Sequence, residues 1–442
     1  MREGWSEVRL IEVTSKIGSG VTPRGGSSVY VEKGIPIFRS QNIYNGEFST
    51  SGLAYINDTI ASKMKNVEVV EDDVLLNITG DSVARCCIPP REFIPGRVNQ
   101  HVSIIRPRKA KLNPRYLMYS LISPRMQATL LAFASGAGAT RNALTKSVLE
   151  NTKINLPPLK TQRKIASILS AYDDLIENNL KRIKLLEEQA QLTYEEWFVR
   201  FKFPGHETTN FDEDTGLPEG WEKVKASEKI KLISGYAFKG KEFTDVPNNH
   251  IAIRMGNFKV GGGLKTEKSK YLVDHTSVRK KFHLKHNDLV MVLSDVTREG
   301  LLIGNVGLVP NNGNNYYLNQ RVSKVQLEED FKMYAYAVFN SNSFKHNCIS
   351  KANSVTVLNL KNDDVYGYKM TIPTKNIINK WNEIYGSSIK LIQNFELQNQ
   401  HLKEARDILL PRLMSGVIDP STSSGQVVEK LEINDSSSKQ MV

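Results

Sequence analysis

The sequence predicts an α+β chain in which two similar mixed α/β domains are joined by two long helices that form an antiparallel coiled coil, with pseudo-two-fold symmetry. Three observations predict it. An internal repeat keeps its order along the chain. Both halves carry short β-branched runs punctuated by Gly, Pro, Asn and Asp. Two heptad patterns follow the two halves at a constant offset of 216 residues, from Ile165 to Trp381 and from Trp197 to Leu413.

The first domain is expected over 1–157. Its Gly4-Trp5 and Lys16-Ile17-Gly18-Ser19-Gly20 return as Gly220-Trp221 and Leu232-Ile233-Ser234-Gly235. Arg39-Ser40-Gln41-Asn42-Ile43 returns as Arg254-Met255-Gly256-Asn257-Phe258, and Asn99-Gln100-His101-Val102-Ser103 as Asn319-Gln320-Arg321-Val322-Ser323. Apolar runs at 67–78 and 286–293 read as strands, and 114–131 and 331–344 as the helical part of each half. A last strand, at 152–156 in one half and 368–372 in the other, leads through proline into a long helix.

The first long helix is expected over 158–202. Ile165, Leu169, Tyr172, Ile176, Asn179, Ile183, Leu186, Ala190, Thr193 and Trp197 alternate four and three residues apart, the spacing that keeps one seam facing a partner helix. The second domain follows over 203–373, with 203–219 as a solvated linker. The second long helix, over 374–418, repeats the spacing in Trp381, Tyr385, Ser388, Ile392, Phe395, Asn399, Leu402, Arg406, Leu409 and Leu413. Arg406 is a poor seam residue, and Pro411 should kink or end the helix near its last turn. Neither helix can bury its stripe alone, so the two are expected to pair antiparallel. Aligned midpoints set Asn179 against Asn399 and Trp197 against Trp381, and the polar pair fixes register at some cost in stability. A seam of some 33 residues gives a ruler of roughly 50 Å. The segment 419–442 is polar, without apolar periodicity, and reads as a disordered tail.

Composition bounds the function. The chain has 442 residues, 40% hydrophobic and 24% charged, as expected of a globular protein of more than one domain. No apolar run approaches the roughly 20 residues of a membrane span, and no apolar leader is visible, so a cytoplasmic protein, away from membranes, is expected. Cys86, Cys87 and Cys348 lack disulfide or zinc spacing. The formal charge is +12, and the two domain stretches supply 11 of it, +7 in 1–157 and +4 in 203–373.

Two similar, non-identical basic modules with pseudo-two-fold symmetry suit duplex DNA. Each module would read its own half-site by base-edge contacts while Lys and Arg neutralise phosphates. The candidate contacts are the polar loop residues Arg39, Gln41, Asn42, Thr79, Arg85, Gln100 and Arg141 in the first half. Those of the second are Arg254, Asn257, Lys259, Arg298, Gln320 and Ser354.

The chain resembles the specificity subunits of type I restriction-modification systems. The resemblance is carried by Gly18-Ser19-Gly20-Val21-Thr22-Pro23, Gly34-Ile35-Pro36-Ile37 and Arg39-Ser40-Gln41-Asn42-Ile43. It continues in Ala139-Thr140-Arg141-Asn142-Ala143-Leu144, Ile154-Asn155-Leu156-Pro157-Pro158-Leu159 and Leu409-Leu410-Pro411-Arg412-Leu413-Met414-Ser415-Gly416. It implies that the two domains are target recognition domains for double-stranded DNA. It further implies that two modification subunits binding S-adenosylmethionine dock on the chain and methylate adenine, and that ATP- and Mg-dependent restriction subunits join them. No cofactor is then expected in this chain. The end of the second module, Asn353-Ser354-Val355-Thr356-Val357-Leu358, departs from the family pattern.

No catalytic or metal-binding set emerges. Asn113-Pro114-Arg115-Tyr116 is similar to an adenine-methyltransferase motif, but without a cofactor loop it reads as a helix cap with proline in the first turn. Gly18-Ser19-Gly20 and Gly261-Gly262-Gly263 read as turns. Asp72-Asp73 and Asp288 read as acidic turns before strands rather than nuclease carboxylates. His101 and His206 lack acid–base partners. The rival classes are a coiled-coil adaptor that binds only proteins and a methyltransferase or nuclease fused to recognition modules; no stretch is left over for a catalytic domain.

Overall fold

The computed structural model describes residues 4–23, 25–136, 142–267, 269–275, 277–297, 299–352 and 358–420. Its contacts divide the chain into two compact units, Met1–Glu177 with Gln400–Val442, and Asn178–Asn399. The division cuts through both long helices, so each unit holds one module and a segment of each helix. The expected tail lies outside the described residues from 421 onward.

In the first unit a four-stranded antiparallel sheet runs in the order Cys86–Cys87, Val74–Asn77, Val102–Pro107, Thr14–Ser19. A five-stranded sheet runs Tyr30–Val31, Ala54–Ile56, Ile35–Phe38, Gly96–Val98, Glu68–Val69, with Ile35–Phe38 and Gly96–Val98 parallel. Val74 and Leu76 enter one core and Leu75 the other, which is why this strand reads as a continuous apolar run. The run expected at 67–78 is not one strand. Asp72 takes a left-handed φ of 72° and Asp73 accepts the Val70 N–H at 2.8 Å, so the chain turns and its two ends join different sheets. The helix expected at 114–131 likewise divides into Pro114–Ile122 and Pro124–Ala134, because Ser123 precedes proline and takes an extended conformation.

The second unit repeats this topology strand for strand. Val306–Leu308, Leu289–Val292, Val322–Gln326 and Lys231–Ser234 form the four-stranded sheet. Phe243–Thr244, Tyr271–Leu272, His250–Ile253, Asn315–Leu318 and His283–Leu284 form the five-stranded one, again with one parallel pair. The helical stretch expected at 331–344 breaks at Ser341, whose side chain caps the helix Asn342–Lys351 by accepting the Phe344 N–H. The segment expected as a solvated linker is mostly exposed, including Asp212-Glu213-Asp214, and is pinned near its two ends. Phe203 and Leu217 are buried beside Trp221, whose ring lies 4.9 Å from that of Phe203.

The first long helix spans Leu159–Tyr194 and closes in a π-helical turn, Glu195–Val199; the second spans Lys375–Met414. Pro411 falls within the last turn of the latter, and the helix ends three residues later. In the first unit Ile165 and Leu169 share a core with Leu409, Leu410, Leu413 and Met414, and Ile176 is buried while Tyr172 and Leu402 are half-buried. Arg406 is tolerated at the seam because Nη1 donates to Asp173 Oδ1 at 2.6 Å, and Asp173 also accepts the Tyr119 hydroxyl. In the second unit Ile183, Leu186 and Trp197 pack with Trp381, Tyr385, Ile392 and Phe395. Asn179 Nδ2 donates to Asn399 Oδ1 at 2.9 Å, and the Trp197 and Trp381 rings stand 6.0 Å apart. The helices therefore run antiparallel with midpoints aligned.

Within the second unit, the two flanks of the helix pair differ. Glu187, Gln191, Tyr194, Ile389, Gln393 and Glu396 face the module across an open cavity of about 390 Å³ lined on the other side by the loop Lys259 to Leu264. Leu185, Leu192 and Val199, spaced seven apart, are each at least 60% exposed, and Ile384 and Leu391 are about half exposed. In the heptad these five share the flank away from the cavity.

Candidate nucleic-acid interface

In each module one rim gathers the ends of both sheets. The first rim joins the exits of Ile35–Phe38 and Val74–Asn77, the turn Asn99 to His101 and the residues after Ser19. Asn99 N–H donates to Phe38 O at 3.2 Å, Ile78 N–H to His101 O at 2.9 Å and Gly20 N–H to Val102 O at 2.9 Å. The second rim has the same bonds: Asn319 N–H to Ile253 O at 3.3 Å, Leu293 N–H to Arg321 O at 3.1 Å and Gly235 N–H to Val322 O at 3.1 Å.

The repeated Ser-Gly is explained here. A Cβ on Gly20 would lie 2.0 Å from Val98 O and 2.4 Å from Asn99 O, and one on Gly235 would lie 2.2 Å from Asn319 O. Both obstacles are backbone, so they cannot swing aside. Gly20→Ala or Gly235→Ala is expected to lower stability by about 1–3 kcal/mol, read as a falling melting temperature; an unchanged melt would contradict this role.

The repeated Arg-x-x-Asn is also a fold element, which corrects two of the expected DNA contacts. Asn42 is fully buried; its Oδ1 accepts the Arg39 N–H at 3.0 Å and its Nδ2 donates to Ser49 O and Ser51 O. Asn257 does the same with the Arg254 N–H, Lys265 O and Ser269 Oγ. With these groups consumed by their own turns, neither is presented to a ligand. Lys259 is half-buried, and its ammonium pairs with Glu396 of the second helix. Burial pushes the neighbouring Glu187 carboxyl up from its usual range, opposed by the Lys259 charge.

Arg39 is half-buried, donates Nη2 to Gly52 O and lies over the Tyr30 ring, while Gln41 Nε2 reaches the same carbonyl at 3.2 Å. Arg85 stacks over Tyr44 at 4.9 Å. Arg254 is exposed over Phe243, and Gln41, Gln100 and Gln320 are exposed. Thr79 Oγ1 lies 2.7 Å from His101 Nδ1. Arg141, Arg298 and Ser354 lie outside the described residues. Two rim residues were overlooked in the loops, His101 and Arg321; their signal was the single difference within the duplicated pentapeptide, up to its serine.

The other motifs are structural. Asn113 Oδ1 caps its helix by accepting the Tyr116 N–H at 3.0 Å, and Tyr116 is buried with its hydroxyl on Asn155 O. Asp73 is fully buried and holds Arg106 at 2.7 Å, a bond that raises the Arg106 pKa, and Asp288 pairs with Lys324 at 2.7 Å. His206 Nδ1 meets Phe203 O. Among the described residues no group of three His, Cys, Asp or Glu is placed to hold a metal, and no helix is long and apolar enough to cross a membrane.

Residues 2–188 match the type I restriction modification DNA specificity domain. That defines the class: a DNA-specificity protein. The "Type I restriction enzyme MjaIX specificity subunit" of Methanocaldococcus jannaschii is 25% identical over 414 residues, 93% of this chain and 93% of its own length. The MjaVIII specificity subunit is 26% identical over 323 residues, 72% of this chain and 73% of its own length. The putative MjaX specificity subunit is 26% identical over 286 residues, 62% of this chain and 66% of its own length. The fold is that of the S subunit of a type I restriction-modification system from M. genitalium, at a TM-score of 0.57 and 13% identity over 92% of this chain and 96% of that one. Over residues 2–188 the chain thus carries the DNA specificity domain of type I restriction-modification systems, and along 93% of its length it is similar to a specificity subunit, the non-catalytic component of such a system.

Proposed function

We propose that this chain reads a bipartite, asymmetric DNA target, one half-site per module, and scaffolds the catalytic subunits of its system. The observation that carries the reading is the pair of rims, alike in backbone hydrogen bonding and different in the side chains they present. A shared frame holds each reading head, and unlike side chains give unlike half-sites. The partners are double-stranded DNA, two modification subunits that bind S-adenosylmethionine and methylate adenine, and restriction subunits that use ATP and Mg. The chain itself takes no cofactor and works in the cytoplasm of a bacterium or archaeon. The apolar flank of Leu185, Leu192, Val199, Ile384 and Leu391 supports the scaffold role, because a contiguous exposed apolar stripe rimmed by charge marks a protein-binding surface.

The test is a mobility-shift assay on random duplex at about 50 mM and about 200 mM salt, with and without the modification subunit. DNA binding that weakens steeply with salt and turns sequence-selective when the modification subunit is present is expected. A chain that binds the modification subunit but no DNA at either salt concentration would be an adaptor only, and methylation by the purified chain alone would end the non-catalytic assignment.

A further inference from the structure

The turns Asn99 to His101 and Asn319 to Arg321 link the exits of two strands in their rims. Each is hydrogen-bonded to the exit of the parallel strand and to the exit of the central antiparallel strand, and the valine that follows it accepts from the glycine after the first strand. The backbone of these turns is thereby fixed, and the groups left to face outward are the side chains at the second and third positions. The second is glutamine in both modules. The third is His101 in one and Arg321 in the other.

The surroundings of this third position also differ. Thr79 follows Ile78, and its hydroxyl holds His101 Nδ1 at 2.7 Å, while Gln100 Nε2 lies 3.4 Å from His101 Nε2. The imidazole is thus restrained at both nitrogens. In the second module the residue after Leu293 is Ser294, which is buried and donates its hydroxyl to Asn359 Oδ1 at 2.8 Å, away from position 321. Arg321 is exposed.

We propose that the residue after the duplicated glutamine determines specificity, and that Arg321 reads a guanine in the half-site of the second module. This rests on the bipartite reading above. An exposed guanidinium on a fixed backbone can meet the O6 and N7 acceptors of guanine in the major groove with two parallel donors. His101, held to Thr79, offers no such fork, so the two modules differ in the base they take at this place.

The test maps methylated sites for the full complex of this chain with its modification subunits, as wild type, Arg321→His, Arg321→Lys and His101→Arg. For Arg321→His, a preference for guanine at one position of one half-site is expected to fall about tenfold or more, with the other half-site unchanged. Arg321→Lys should retain part of the preference, and His101→Arg should alter the opposite half-site only. The proposal is overturned by an unaltered consensus in Arg321→His, by a wild-type target without guanine, or by a uniform loss over all sequences with a shallower salt dependence, the mark of a phosphate contact. Melting curves of the variants separate misfolding from loss of reading, and Arg321→Lys preserves charge and packing should histidine perturb the turn. A wild-type complex whose target is not bipartite overturns the underlying reading as well, whereas a bipartite wild-type target with an indifferent Arg321 overturns this inference alone.

Discussion

Replacing Trp381 by alanine is expected to cost the second unit about 3–5 kcal/mol, the range for removing a large aromatic ring from a packed core. The residue is fully buried, and its ring meets those of Trp197, Phe198, Tyr194 and Tyr385 at 4.7 to 6.2 Å. Its Nε1 also donates to Met333 O at 3.3 Å, so alanine leaves a cavity and removes a bond between the long helix and the module's helix Lys332–Phe339. Because the ring ties the helix pair to the module's own helix, the loss should spread through 178–399. Hydrogen exchange is the measurement: protection should drop across that unit while the core around Leu117 and Ile154 keeps its own. Trp381→Phe should cost clearly less, and a penalty below about 1 kcal/mol for alanine would show that the cluster does not hold the unit together.

Inserting one heptad into each long helix, in register, is expected to lengthen the unread spacer of the DNA target and leave both half-sites intact. Seven residues add about 10.5 Å of helix, close to three base pairs at about 3.4 Å each. The same three base pairs turn B-form DNA by roughly a third of a turn at 10–10.5 base pairs per turn, so affinity should fall even where the longer target is chosen. Mapping of methylated adenines reads both effects. Changed half-sites at the old spacing would reject the helices as the element that sets the gap.

The large features were legible because they rest on repetition and period. The heptads survive in any context that buries one stripe, and the constant offset between them carries the antiparallel register to Asn179 and Asn399. The pentapeptides at 99 and 319 were visible because the turn they form is locked by backbone bonds that tolerate little variation. The individual roles of loop residues were far less legible. Asn42 and Asn257 look like ideal base readers, yet a short 3-10 turn brings each within reach of its own arginine's N–H, a geometry that composition does not encode. Lys259 and Glu396 are 137 residues apart, and nothing in either neighbourhood announces the other. The run 67–78 shows how local the limit is: the acidic turn at Asp72-Asp73 is readable, but that the apolar residues on its two sides enter different sheets is not.

The division of the chain has a consequence for synthesis. The second unit is continuous in sequence, whereas the first draws on segments at both ends of the chain, and Asn155 bonds Met414 O across 259 residues. On the ribosome the earlier-made sheets must therefore wait, with the surface destined for Leu410, Leu413 and Met414 uncovered, until the last helix emerges. The unit whose sheets lie earlier in the sequence is closed only by residues more than two hundred positions downstream, so its folding is tied to that of the second long helix.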